Sequence, residues 1–219
     1  MEKPIISTTL SGLFIKSEPW KNAHVLWFEE MAERFNDDAM KDSVKKWVNL
    51  PNYFQGVDEV MKQLYPNMSD AERTERARET YFNSVLKYIK QNPEVKNWEV
   101  IKYFISLKEK YRIALITTNT INTVNEILIL LEQEDLFDII ETSYPDEKDD
   151  KALVFDRFIN QYGTPLVYIG GGRKDRYDYC KQRNIPRIFA NFENAEDIPG
   201  VINVHNLDEL KEEIEKLIN

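Results

Sequence analysis

Three stretches of the chain hold residues that could bind a ligand or act on one: Thr9 to Leu13, Thr117 to Thr120, and Gly170 to Asp175. Each follows a short apolar run, around Ile5-Ile6, Ile113 to Ile116 and Leu166 to Ile169, so each reads as a loop leaving the end of a strand. Thr118-Asn119 either satisfies the end of a buried strand or offers a hydroxyl to a ligand. Gly170-Gly171-Gly172 holds three of the chain's seven glycines, and a turn without a ligand is the ordinary use of such a run. A dinucleotide fingerprint would need Gly-x-Gly-x-x-Gly, a spacing not completed here. Asp175 can face a helix dipole without any ligand. Lys148 and Lys151 lie in a strongly charged stretch, where side chains usually face solvent.

The chain has one cysteine, Cys180, and two histidines, His24 and His205. That excludes an intrachain disulfide and leaves too few ligands for a thiolate or imidazole metal cluster, so any metal would need carboxylates. Cys180 and His24 fall in helical patterns, as packing or surface positions. The net charge of −9, from 29 basic and 38 acidic residues, argues against nucleic acid as a partner, since that binding neutralises phosphates with Lys and Arg. No run approaches the roughly 18 apolar residues that a membrane helix needs. The opening Met-Glu-Lys-Pro-Ile-Ile-Ser lacks a secretory pattern, so the expected location is the cytoplasm, with no membrane partner.

Positioning the three loops requires strands, and the spacing supplies them. Pro4 marks the start of a strand at Ile5 to Thr9. From Pro19 to about Lys110 the pattern is helical: Val25, Phe28, Met31, Ala32 and Phe35 share one face, and Val44, Trp47 and Val48 begin another. Ser69-Asp70-Ala71-Glu72 has the capping-box pattern; its helix carries Ala77, Tyr81, Val85 and Tyr88 inward and stops before Pro93. Another helix runs from about Trp98 to Lys110. Trp20, Trp27, Trp47, Tyr53 and Phe54 are mostly core by the same spacing. Strands at Ile113 to Ile116, Ile139-Ile140, Leu166 to Ile169, Arg187 to Ala190 and Val201 to Val204 then alternate with helices over about 124–132, 151–162, 176–183 and from Leu207, the last capped by Asn206. This predicts an α/β fold, a doubly wound Rossmann-like parallel sheet core (1–16 and 100–219) with an inserted α-helical cap (17–99). Ligands in such sheets bind outside the carboxyl ends of the strands, where the three loops lie.

In this arrangement the chain resembles the haloacid-dehalogenase-like (HAD-like) hydrolases whose helical cap follows the first strand and loop. That family opens with an apolar strand and Asp-x-Asp-Gly-Thr. Ile5-Ile6-Ser7-Thr8-Thr9-Leu10-Ser11-Gly12-Leu13 matches at Gly12, with Thr9 in the nucleophile's place, Ser11 in that of the general acid and base, and Leu13 replacing Thr. Ile113 to Asn119 resembles the second motif, with Thr118 at the phosphate-binding hydroxyl. The family's phosphate-neutralising lysine falls at Lys148 or Lys151. Its last motif, Gly-Asp-Ser/Thr-x-x-Asp, matches at Gly170 and Asp175 but has Gly171 at the principal metal ligand. The resemblance implies phosphate contacts from Thr9, Leu10, Ser11, Thr118, Asn119, Lys148 or Lys151, Gly171 and Gly172, and leaves Asp175 as the one candidate metal ligand.

These replacements change the chemistry. A carboxylate is a competent nucleophile at neutral pH, whereas Thr9 must lose a proton that Ser11 cannot take. Mg²⁺ wants one or two anchoring carboxylates, so no cofactor is expected. The remaining amides, the Thr118 hydroxyl, a lysine and the glycine run still describe an anion cradle. The expected function is therefore a non-catalytic HAD-like pseudo-phosphatase that binds a small phosphorylated ligand or a protein partner. The alternative is an active Mg²⁺-dependent phosphatase drawing carboxylates from Asp146, Asp149, Asp150, Asp175 or Glu18. A third reading makes the cap an interaction surface. The oligomeric state is left open.

Overall fold

The computed structural model describes residues 3–49, 53–172 and 174–218. Among them, strands β1 (Ile5–Thr8), β2 (Arg112–Thr117), β3 (Ile139–Thr142), β4 (Val167–Gly170), β5 (Arg187–Ala190) and β6 (Ile202–Val204) form one sheet. Every pairing is parallel, in the order β3-β2-β1-β4-β5-β6. The helices are α1 (Glu18–Ala32), α2 (Asp38–Trp47), α3 (Tyr53–Leu64), α4 (Asp70–Gln91), α5 (Trp98–Leu107), α6 (Ile121–Leu130), α7 (Lys151–Tyr162), α8 (Asp175–Gln182) and α9 (Leu207–Ile218), with a 3-10 turn at Pro93–Val95. This is the doubly wound Rossmann-like α/β architecture expected from the sequence. Strand order reverses between β1 and β4, which makes that pair the topological switch point.

Ile113 to Ile116 is an unbroken apolar run because β2 is buried on both faces. On one face, Ala114 and Ile116 join Val154, Phe155 and Phe158 of α7 and Tyr177 and Cys180 of α8 in a single core. Two buried hydroxyls tie β1 to both neighbours: Ser7 donates to the Val167 carbonyl at 3.0 Å and Thr8 to the Ala114 carbonyl at 2.8 Å. Paired in this way, they carry no desolvation penalty. Burial pushes the Cys180 thiol up to about 12, which leaves it inert as a nucleophile. No helix among the described residues is long and apolar enough to cross a membrane.

The chain divides into two compact units: Met1–Ser17 with Pro93–Ser143 and Asp150–Asn219, and Glu18–Asn92 with Tyr144–Asp149. The segment 93–99, read from sequence as part of the helical insert, goes with the sheet. Lys16 donates its amide to the Val95 carbonyl at 2.9 Å, and Asn97 donates to the Phe14 and Leu13 carbonyls at 2.9 and 2.7 Å.

The helical unit has its own core of Trp27, Phe28, Met31, Ala32, Val44, Val60, Met61 and Ala77. Val25, expected on the inner face of α1, is 44% exposed; Trp27 is buried instead, with its indole donating to the Ala77 carbonyl at 3.1 Å. The expected capping box is present, the Ser69 amide donating to Glu72 at 2.7 Å and the Glu72 amide to the Ser69 hydroxyl at 3.3 Å. Helix α3 was not among the expected elements. Its Gly56 lets it close on α1 and α2, since a Cβ there would lie 3.3 Å from the Phe28 ring and from Trp47 Cβ. Trp20 and Trp47 are half-buried. The side chains of Tyr53 and Phe54, read as core, lie outside the described residues.

Candidate functional site

Because β1 pairs with both β2 and β4, the loops leaving these strands lie side by side. Thr8 is level with Leu115 on one side and Ile169 on the other, so Thr9, Ile116 and Gly170 mark the carboxyl edge. Past Thr9, which is buried, the chain turns around the Leu10 carbonyl, which accepts from the amides of Phe14 and Ile15 at 3.1 and 3.2 Å. Gly12 permits the turn by adopting φ 77°, a region costly for side-chain-bearing residues. The side chains of Leu10 and Leu13 are buried. The amides of Gly12 and Leu13 donate within the turn, to the Ile15 and Leu10 carbonyls. Ser11 is half-buried and its backbone bridges to Ile15.

The turn after β1 rests on the loop after β4, backbone to backbone. A Cβ on Gly171 would lie 2.5 Å from Gly12 Cα and 2.7 Å from its carbonyl oxygen; a Cβ on Gly12 would lie 2.8 Å from Gly171 Cα. No side chain fits at position 171 unless the two loops part. Gly172, by contrast, is exposed, with φ 91° and nothing within 4 Å of a Cβ.

Two cations end at this edge. The Lys151 side chain, buried at the first residue of α7, donates its ammonium to the Ile116 carbonyl, level with Thr9. This differs from the solvent-facing expectation for Lys151. The helix start is fixed by Asp150, whose carboxylate caps α7 and accepts from the Ala152 amide at 2.9 Å. Lys148 belongs to the helical unit, where its exposed side chain pairs with Asp58 at 2.9 Å. The second cation, Arg176, was not among the expected residues. Its Nη1 donates to Thr9 Oγ1 at 3.3 Å and to the Gly171 carbonyl at 3.4 Å. A sequence signal did exist: Arg176 sits in the first turn of α8, where the helix dipole disfavours a cation.

Around these groups Thr118 is half-buried and Asn119 buried, the Asn119 amide donating to Thr117 Oγ1 at 3.1 Å. Ser143 follows Thr142, which pairs with Thr117; its hydroxyl is shielded and without a hydrogen-bond partner among the described residues. The Tyr168 hydroxyl and Arg176 Nε are shielded as well, the two side chains lying beside each other. Burial pushes the Tyr168 phenol up to about 12, while the nearby charge of Arg176 pulls the other way. Asp175 is exposed at the start of α8. Glu18, Asp146 and Asp149 belong to the helical unit. Among the described residues no group of three or more His, Cys, Asp and Glu could hold a metal ion. The helical unit's own 670 Å³ cavity is lined by Leu26, Glu29, Glu33, Lys45, Lys87 and Tyr88 among others, and holds none of the candidate residues.

No protein-family profile matches this chain, and no curated protein does. Solved structures do. A predicted phosphatase from Clostridium acetobutylicum aligns at TM-score 0.62 and 18% identity, covering 99% of this chain and 100% of its own. A haloacid dehalogenase-like family hydrolase from Streptococcus pneumoniae aligns at 0.60 and 17% identity, over 98% of both chains. The chain has the HAD-like hydrolase fold. CbbY from Rhodobacter sphaeroides, solved in complex with phosphate, matches at 0.60 and 13% identity over 94% of both chains. In this HAD-like fold Thr9, Gly171 and Arg176 meet at the β1/β4 switch point, with Lys151 arriving from beyond β2.

Proposed function

We propose that this HAD-like protein captures a phosphate monoester and does not hydrolyse it. The observation that carries the reading is the backbone contact between Gly12 and Gly171, which leaves no room for a metal-binding carboxylate at the place the family resemblance assigns it. Mg²⁺ needs hard oxygen ligands with carboxylate anchors. The residues present do not fit it: Thr9 and Ser11 are neutral, Asp175 is exposed, and a guanidinium faces the Thr9 hydroxyl. No carboxylate or imidazole among the described residues hydrogen-bonds Thr9, so proton abstraction from that hydroxyl has no agent.

What remains serves binding. Lys151 and Arg176 supply positive charge, and Thr9, Thr118 and Ser143 supply hydroxyls at the carboxyl edge of the sheet. The phosphate held by CbbY supports the same class of ligand here. The test is a panel of aryl, sugar and nucleoside monophosphates incubated with the protein, with and without Mg²⁺. Phosphate release no faster than in buffer is expected. Mg²⁺-dependent release that disappears in Asp175→Ala would overturn the reading and make the protein a phosphatase.

A further inference from the structure

We propose that Arg176 is the fixed cation of this site and holds a tetrahedral oxyanion directly, with no divalent metal. The inference rests on the reading that the site binds a phosphate monoester, and it assigns the cation that makes such binding metal-independent. The guanidinium stands at the β1/β4 switch point, on the Thr9 hydroxyl and the Gly171 carbonyl. Both contacts, at 3.3 and 3.4 Å, are long for N–H···O hydrogen bonds, so these donors can turn to a better acceptor at little loss.

Arg176 is half-buried, its Nε is shielded with no partner among the described residues beyond the neighbouring Tyr168 hydroxyl, and it makes no ion pair with a described carboxylate. A partly desolvated cation in that state is unfavourable until an anion arrives. Its place in the first turn of α8, where the helix dipole is positive, adds to the cost, and Asp175 and Asp178 of the same turn offset part of it. A bound dianion reverses both terms. The planar guanidinium can offer two parallel N–H groups to two phosphate oxygens, which an ammonium cannot. Lys151 adds a second positive charge from the β2 side.

Inorganic phosphate is titrated calorimetrically into the whole protein, once in EDTA and once in Mg²⁺, using the wild type, Arg176→Gln and Arg176→Lys, with thermal melts as the folding control. The wild type should bind equally in both buffers. Arg176→Gln should weaken binding by about tenfold or more, the worth of a charge-assisted contact. Arg176→Lys should fall between the two; if the Gln variant does not fold, the Lys variant decides, and affinity equal to wild type overturns the inference. Unchanged affinity in Arg176→Gln, or binding that requires Mg²⁺, also overturns it while leaving phosphate capture intact. Absence of wild-type binding in both buffers would instead overturn the proposed function itself.

Discussion

Gly171→Asp should destabilise the protein by about 3 kcal/mol and create no metal site, because its Cβ would be driven to 2.5 Å from Gly12 Cα. Gly171→Ala should lose nearly as much, since the clash begins at Cβ and not at the carboxylate. At roughly 2–4 °C per kcal/mol for a chain of this size, the melting temperature falls by about 6–12 °C. The control is the next residue. Gly172, unlike Gly171, has positive φ but open space around a Cβ, so Gly172→Ala should show only the backbone cost, about 1 kcal/mol. Thermal melts of the three variants distinguish these cases; equal losses at 171 and 172 would show that the loops part easily. The same contact predicts that adding aspartates at Thr9 and Ser11 as well does not restore a phosphatase.

Lys151→Met should weaken both ligand binding and the fold, by different amounts. The ammonium is buried against the Ile116 carbonyl, and removing it leaves that buried acceptor without its charged donor. Stability is expected to fall by about 1–3 kcal/mol. Affinity for inorganic phosphate should fall roughly 10- to 100-fold, the loss of one charged hydrogen bond to the ligand. Denaturant melts and calorimetry on the same preparation read both quantities. Unchanged affinity would mean that the lysine only fastens α7 to β2. Lys148→Met, removing an exposed partner of Asp58, should leave affinity as it was.

Much of the frame was legible because local chemistry and global fold agree. Asp150 caps α7 immediately before Lys151, where the expected helix begins, and the continuous apolar run of β2 announced a strand covered on both faces. Periodicity misled where two faces compete: Val25 and Trp27 are close in sequence, and only packing against α4 chooses the indole. Helix α3 was hidden by the glycine that lets it approach α1.

At the site, the three loops were readable from strand order alone. Which lysine is buried was not, because a charged stretch gives no sign of the side chain that turns inward. The Gly12–Gly171 contact joins residues far apart in the chain, so a glycine run that reads as a free turn is in fact a tight contact. Arg176 left a trace only as a cation in a helix's first turn, against the dipole.

The most direct test of capture without turnover is ³¹P NMR of a phosphate monoester mixed with stoichiometric wild-type protein in EDTA and then in excess Mg²⁺. The ester resonance should shift or broaden on adding protein in both buffers, and its integral should stay constant with no inorganic phosphate growing in. Growth of the phosphate peak in Mg²⁺, or an ester signal untouched by the protein, would contradict the account.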